Sequence, residues 1–251
     1  MSDFELYLGD CLDILPTLND GSVDAIIGDI PYGTTACAWD EVIPLEPMWE
    51  QVKHVLKDGG VFVTTASQPF TSKLVMSNAE WFKYSWVWEK SHSSNFLVAK
   101  YQPLKRHEDI CVFSENGHLY NPQVTKGTIK NNRSGYVESE RPRSSFMGSP
   151  KNLSIVKSNT YQPTSVLYFS SGRRADSLHP TQKPLSLYEY LILTYSNKHD
   201  VVLDFAMGSG TTGEACAITE RNFIGIEIES EYFSIADKRI RDAQMQLILE
   251  I

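Results

Sequence analysis

Two short clusters in this sequence combine residue types and settings that could do chemistry. Asp29-Ile30-Pro31-Tyr32 follows an apolar run at 23–27, and Asp204-Phe205-Ala206-Met207-Gly208-Ser209-Gly210 follows another at 201–203. The first puts a carboxylate, a proline-stiffened turn and an aromatic ring just past the end of a strand. The second reads as a strand, a tight glycine turn and a helix start. Glycines let the backbone bend sharply and approach a ligand without a Cβ in the way. The first N–H groups of the helix are then free for a carboxylate or another anion. Phe223-Ile224-Gly225-Ile226-Glu227 follows, and its acid lies 23 residues after Asp204. A carboxylate at the end of a second strand can accept hydrogen bonds from ribose hydroxyls. A G-x-G turn alone is common, and a nicotinamide cofactor fits this much of the pattern too.

Alternating strand and helix patterns must position these clusters. Residues 4–8 and 23–27 read as strands with a short helix at 11–18 between them. Apolar spacing predicts a helix over 47–56, stopped by Lys57-Asp58-Gly59-Gly60, and the β-branched run at 61–65 predicts a strand. A helix at 69–76 and strands at 81–88 and 109–113 complete the first part. The pattern dissolves between 114 and about 177, where Gly, Pro, Ser and Asn are frequent and only 165–169 is strand-like. Order returns with a helix at 185–196, a strand at 201–203, a helix at 212–219, a strand at 222–226 and a closing helix at 231–249. This alternation predicts an α/β fold: a mostly parallel twisted sheet with helices on both faces, plus a loop-rich insert.

The gross numbers narrow the class. A chain of 251 residues can bury one sizeable core, or one core with an inserted lobe. No apolar run approaches the roughly 18–20 residues of a membrane span. The acidic start leads directly into a strand, which argues against a signal peptide and for a cytoplasmic protein. Cys11, Cys37, Cys111 and Cys216 form no C-x-x-C pair. They read as buried free thiols, and no metal site is expected. Net charge is −8, yet residues 90–183 hold 14 Lys+Arg against 6 Asp+Glu, a local +8. Tyr101, Asn131, Asn132, Tyr136, Tyr161 and Gln162 are interleaved in this basic island. That combination favours a nucleic-acid surface over a merely solvated face.

Together these residues resemble the motifs of one family. The run 201–213 resembles motif I, and Gly225-Ile226-Glu227 motif II, of S-adenosylmethionine-dependent DNA amino-methyltransferases. The family usually writes motif I as D-P-F-M-G-S-G-T; here Phe205-Ala206 stands in place of Pro-Phe. Asp29-Ile30-Pro31-Tyr32 resembles motif IV, D/N/S-P-P-Y/F, with Ile30 in place of the first Pro. Ser85-Trp86-Val87-Trp88-Glu89-Lys90 resembles motif VIII, and His179-Pro180-Thr181-Gln182-Lys183-Pro184 resembles motif X. The motif order is that of the β class, a circular permutation of the Rossmann-like methyltransferase fold.

The resemblance implies S-adenosylmethionine as cofactor and double-stranded DNA as substrate. The turn Phe205, Gly208, Ser209, Gly210 and Thr211, with Asp204 before it, would hold the methionine part, and Glu227 the ribose. Asp10, beside Cys11, would meet the adenine of the cofactor, and it could equally cap the helix that follows. Thr181 or Lys183 would reach the cofactor carboxylate. Asp29 and the main-chain carbonyl of Ile30 would accept from the two N–H bonds of an exocyclic amine. Pro31 would stiffen the turn, and Tyr32 would stack on a base extruded from the duplex. One of Trp86 and Trp88 is expected in the core. Lys105, Arg106, Arg133, Arg141, Arg143, Arg173 and Arg174 are candidates for phosphate or guanine contacts.

The implied organisation is a catalytic half at 1–113, a target-recognition insert at 114–177 and a cofactor half at 178–251. Asp at the first position of motif IV points to adenine N6, with cytosine N4 the alternative. RNA-base or protein-amide methylation usually goes with the reverse motif order. A catalytically dead DNA-binding relative would not need Asp29, Tyr32, Asp204 and Glu227 together. Members of this size are often homodimers, and some work beside a restriction endonuclease.

Overall fold

Strand residues in this chain alternate between two apolar faces, and that alternation builds the molecule. In the strand Leu56–Ala66, Val61 and Val63 enter one core cluster while Phe62 enters the other. In Lys105–Phe113, Ile110 and Val112 point one way, Cys111 and Phe113 the other. Both faces of such a sheet need cover, and helices supply it. The computed structural model describes residues 2–33, 41–127, 159–170 and 182–249.

The larger of two units comprises residues 1–121 and 164–251. Its strands are β1 (Phe4–Leu8), β2 (Val23–Gly28), β3 (Leu56–Ala66), β4 (Phe82–Ser94), β5 (Lys105–Phe113), β8 (Val166–Phe169), β9 (Val201–Asp204) and β10 (Asn222–Glu227). They form one sheet in the order β1-β10-β9-β2-β3-β5-β4-β8. The run from β1 to β3 is parallel, and β5 is antiparallel to both β3 and β4. Helices α1 (Cys11–Ile14), α2 (Leu45–Val55) and α3 (Phe70–Ser77) cover one face, with Met48, Trp49, Val52, Phe70 and Leu74 in the core. Helices α4 (Leu185–Tyr195), α5 (Thr211–Thr219) and α6 (Ser230–Leu249) cover the other, with Leu187, Leu191, Ala215 and Ile240 inside. The fold is thus the doubly covered, permuted α/β architecture expected from the sequence.

The smaller unit comprises residues 122–163. Its described part holds a two-stranded antiparallel pair, β6 (Thr125–Lys126) and β7 (Thr160–Tyr161). Two segments expected in the insert belong to the larger unit instead. Residues 114–121 are tied down there: the Ser114 hydroxyl donates to the Gly60 carbonyl at 2.9 Å, and the Asn121 N–H to that of Thr194 at 2.8 Å. Residues 166–169 form edge strand β8 on β4. Another difference is local. Lys57-Asp58-Gly59-Gly60 does not separate α2 from the next strand; it lies inside β3 as a bulge between the Val23–Leu56 and Ala25–Val61 pairings. Gly59 takes φ +76° there, which lets the bulge fold back. Among the described residues no helix is long and apolar enough to cross a membrane.

Candidate active site

The chain leaves β9 through α5 toward β10, and leaves β2 through α2 toward β3. These paths diverge, so β9 and β2 flank a topological switch point, where open α/β sheets bind ligands at the carboxyl ends of their strands. Asp204 ends β9, and Asp29 follows β2 directly. The approach of the two strands is close: a Cβ on Gly28 would lie 2.5 Å from Asp204 Oδ1. The two clusters, 175 residues apart in sequence, thus meet at one point of the sheet edge.

Three donors hold the Asp29 carboxylate. Oδ1 accepts from the Tyr32 hydroxyl at 2.6 Å and from the hydroxyl of Thr65, a buried residue near the end of β3. Oδ2 accepts from the Lys183 ammonium, which is only 9% exposed. The Tyr32 ring stacks on Phe70, centroids 5.5 Å apart and planes 24° apart, with the Lys183 ammonium 5.5 Å from its centroid. Burial and then the Asp29 carboxylate push the Tyr32 phenol well up, so it is a neutral donor at ordinary pH. Ile30 is 3% exposed and anchors the turn in the core. Behind Asp29, Glu108 on β5 accepts from Lys90 through Oε1 and sits with Oε2 3.7 Å from Lys183. Burial opposes charge on Glu108, but Lys183 and Lys90 outweigh it and hold the carboxyl low. The Lys183 ammonium is likewise held up by Asp29 and Glu108 against the burial that would lower it.

The cofactor-type edge runs along β9, β10 and β1. Gly208 and Gly210 turn the chain with φ +52° and +79°. A Cβ on Gly208 would meet nothing within 4 Å, so this side of the turn is open, whereas one on Gly210 would meet the Ala236 backbone at 2.8 Å. Glu227, 7% exposed, accepts from the Gly208 N–H at 2.7 Å and the Glu229 N–H at 2.9 Å, one on each oxygen. Each oxygen keeps room for a further donor. The Gly9 N–H reaches the Glu227 carbonyl at 2.9 Å, which sets Asp10 beside Glu227. Asp10 is exposed and caps α1 through the Leu12 N–H at 2.9 Å. Open glycine backbone next to two strand-end carboxylates fits the hydroxyls, amine and amino-acid end of S-adenosylmethionine.

Asp204 is buried, accepting from the Ala206 N–H at 3.1 Å and the Thr212 hydroxyl at 2.5 Å. Burial pushes its carboxyl up to about 7, against the pull of those two donors. The unfolded chain releases this proton near the ordinary 3.8, the folded protein near 7. Between those values the folded state binds more protons, so the stability contributed by Asp204 falls as pH rises through the window and is level above it. In urea melts the wild type is therefore expected to lose stability relative to Asp204→Asn between pH 4.5 and 7.5. Parallel pH profiles for the two proteins would contradict this.

Several expected site residues sit elsewhere than the motif pattern implies. Lys183, expected at the cofactor carboxylate, is paired with Asp29 and Glu108. The Phe205 ring turns into the core, 5.9 Å from Phe62, because the aromatic lies one position early in the turn. Cys11 is also in the core, and burial pushes its thiol up to about 12. Ser209 and Thr211 are buried under Arg239 of α6, whose guanidinium donates to the Ser209 hydroxyl at 3.0 Å. Trp86 and Trp88 both face the core: their indole N–H groups donate to Tyr195 at 2.7 Å and to the Phe169 carbonyl at 3.0 Å. Lys105 is partly buried at the start of β5, and Arg106 is exposed beside Glu89 at 3.3 Å. Thr181, Arg133, Arg141, Arg143, Arg173 and Arg174 lie outside the described residues.

Sequence reasoning missed Gly28, Thr65, Glu108, Tyr188 and Arg239. Tyr188 is 2% exposed, and its hydroxyl has no hydrogen-bond partner among the described residues. Burial, then Asp29 and Asp204, push that phenol well up. Only Gly28 had a visible signal, as a glycine closing the mostly apolar strand Val23–Gly28.

The permuted strand order, the glycine turn at the switch point and the carboxylate-lined edge define a Rossmann-like methyltransferase that uses S-adenosylmethionine. Comparison with known proteins narrows the class. The family model described as DNA methylase, of the N6/N4 type, matches residues 23–238, and the chain belongs to that family of DNA methyltransferases. It is 28% identical over 250 residues to the type II methyltransferase M.HpaI of Haemophilus parainfluenzae, covering 95% of this chain and 74% of that one. It is 28% identical over 247 residues to the DNA adenine methyltransferase YhdJ of Escherichia coli (strain K12), covering 92% and 81%. The crystal structure of the M1.HpyAVI-SAM complex superposes with a TM-score of 0.63 at 28% identity, covering 94% of this chain and 99% of that one.

Proposed function

We propose that this DNA methyltransferase acts on the exocyclic N6 of adenine, in duplex DNA at a specific sequence, after extruding the base. The observation that carries this reading is the Asp29 carboxylate, oriented by Tyr32 and Thr65 at the switch point, one strand away from the cofactor-type edge. An exocyclic amine is a poor nucleophile because its lone pair is delocalised into the ring. Asp29 and the Ile30 carbonyl accept its two N–H bonds and favour the geometry in which the lone pair points at the methyl donor. S-adenosylmethionine, held by Asp10, Glu227 and the 204–211 turn, supplies that methyl on a sulfonium. Tyr32, its plane fixed by Phe70, offers an aromatic surface to the base. The rate then depends mainly on alignment, and the proton leaving the amine has Asp29 as its nearest acceptor.

Two points favour adenine: Asp, rather than Ser, opens the tetrad, and YhdJ is named as a DNA adenine methyltransferase. Cytosine N4 is the runner-up, since the same clamp fits its amine. The basic island, including Lys105 and Arg106, is assigned to DNA contact. A homodimer and a companion restriction endonuclease belong to the same reading. The test is transfer of a labelled methyl group to duplex DNA, followed by digestion to nucleosides. Label is expected in N6-methyldeoxyadenosine; label in N4-methyldeoxycytidine would establish the runner-up instead.

A further inference from the structure

We infer that Glu108 is a second seat for the Lys183 ammonium, and that Lys183 moves from Asp29 to Glu108 when the target amine enters. The inference rests on the amine-clamp role proposed for Asp29. A carboxylate has about four acceptor positions. Tyr32, Thr65 and Lys183 already fill three on Asp29. An ammonium on Oδ2 also draws off the electron density that the incoming N–H bonds need. The resting arrangement therefore holds and orients Asp29 but leaves it poorly disposed to clamp an amine.

The alternative seat is next to the first. Glu108 Oε1 is taken by Lys90, while Oε2 is buried and has no hydrogen-bond partner among the described residues. A buried carboxylate oxygen without a hydrogen bond is costly, and such atoms call for an explanation. Here the nearest cation is Lys183 itself, 3.7 Å away, just too far for a hydrogen bond. A shift of its nitrogen by about 1 Å would bring it to charge-assisted hydrogen-bond distance of Oε2 and stretch its bond to Asp29 Oδ2, which loosens its hold there. The four-carbon stem of lysine allows such a shift through small torsional changes. Lys183 keeps a carboxylate partner in either position, so its own charge is not stranded by the move. Lys105, also close to Glu108, adds to the positive surroundings that keep it ionised. Glu108 touches no reacting atom in this scheme; it is a positioning residue acting through Lys183.

The scheme makes an unusual genetic prediction. Glu108→Gln weakens the second seat and leaves Lys183 on Asp29, so kcat falls by about 10- to 100-fold, with cofactor affinity unchanged. Adding Lys183→Met then removes the blocking ammonium and restores at least about 10-fold of the loss. A merely structural Glu108 gives no such rescue. A double variant as slow as Glu108→Gln, or wild-type kcat in Glu108→Gln, overturns the proposal. Should Glu108→Gln fail to fold, the wild-type complex with duplex DNA and S-adenosylhomocysteine decides by crystallography. Lys183 on Glu108 supports the inference, and Lys183 still on Asp29 beside a bound amine overturns it. Absence of methyl transfer by the wild type would instead remove the proposed function beneath it.

Discussion

Asp29→Ala is expected to lower methyl transfer to DNA by at least about 1,000-fold while cofactor affinity stays within a few-fold of wild type. The magnitude follows from what the carboxylate does. Removing one preorganised partner of a developing charge typically costs about 100- to 1,000-fold, and Asp29 also orients Tyr32 and neutralises Lys183. Cofactor affinity is spared because Asp204, Glu227 and the 208–211 turn are held by their own partners. Lys183 is not left alone, since Glu108 stands 3.7 Å away. Asp29→Asn keeps the shape and one acceptor oxygen, so it should fall between the two. Single-turnover rates and a cofactor titration on the same samples separate the chemical loss from a folding defect. Transfer by Asp29→Ala within tenfold of wild type would remove Asp29 from the mechanism.

Gly28→Ala should damage stability and cofactor binding together. The added methyl would stand 2.5 Å from Asp204 Oδ1 and 2.9 Å from its Cγ. Asp204 cannot step back, because Oδ1 holds the Ala206 N–H, Oδ2 holds Thr212 and the residue is 3% exposed. Overpacking of this kind costs on the order of 1–3 kcal/mol, or a Tm loss of about 2–12 °C in a chain of this length. The start of the glycine turn moves with Asp204, so cofactor affinity should drop at least about tenfold. An unchanged Tm and affinity would mean that β2 and β9 do not approach as closely as described.

The elements were legible where a local rule writes them. The β-branched run at 61–65 marks a buried strand, and the glycine turn after Asp204 marks itself. The permuted sheet that the motif order implies sets β2 beside β9, and the structure then brings Asp29 and Asp204 together there. What could not be read is pairing at long range between single residues. Thr65 and Lys183 converge on Asp29 across 36 and 154 positions, with Glu108 behind Lys183, and no spacing announces them. Lys183 was expected at the cofactor carboxylate from the motif it belongs to, whereas the segment leading into α4 sets its ammonium beside Asp29 and Glu108. Phe205 shows the same limit on a smaller scale: one position in a turn decides whether a ring faces a ligand or Phe62.

The most direct test of the whole account is methylation-sensitive long-read sequencing of DNA from cells expressing the wild-type protein or Asp29→Ala. N6-methyladenine is expected at one short recurring sequence with the wild type and none with the variant. Modified cytosine, or adenine methylation that persists in Asp29→Ala, would contradict it.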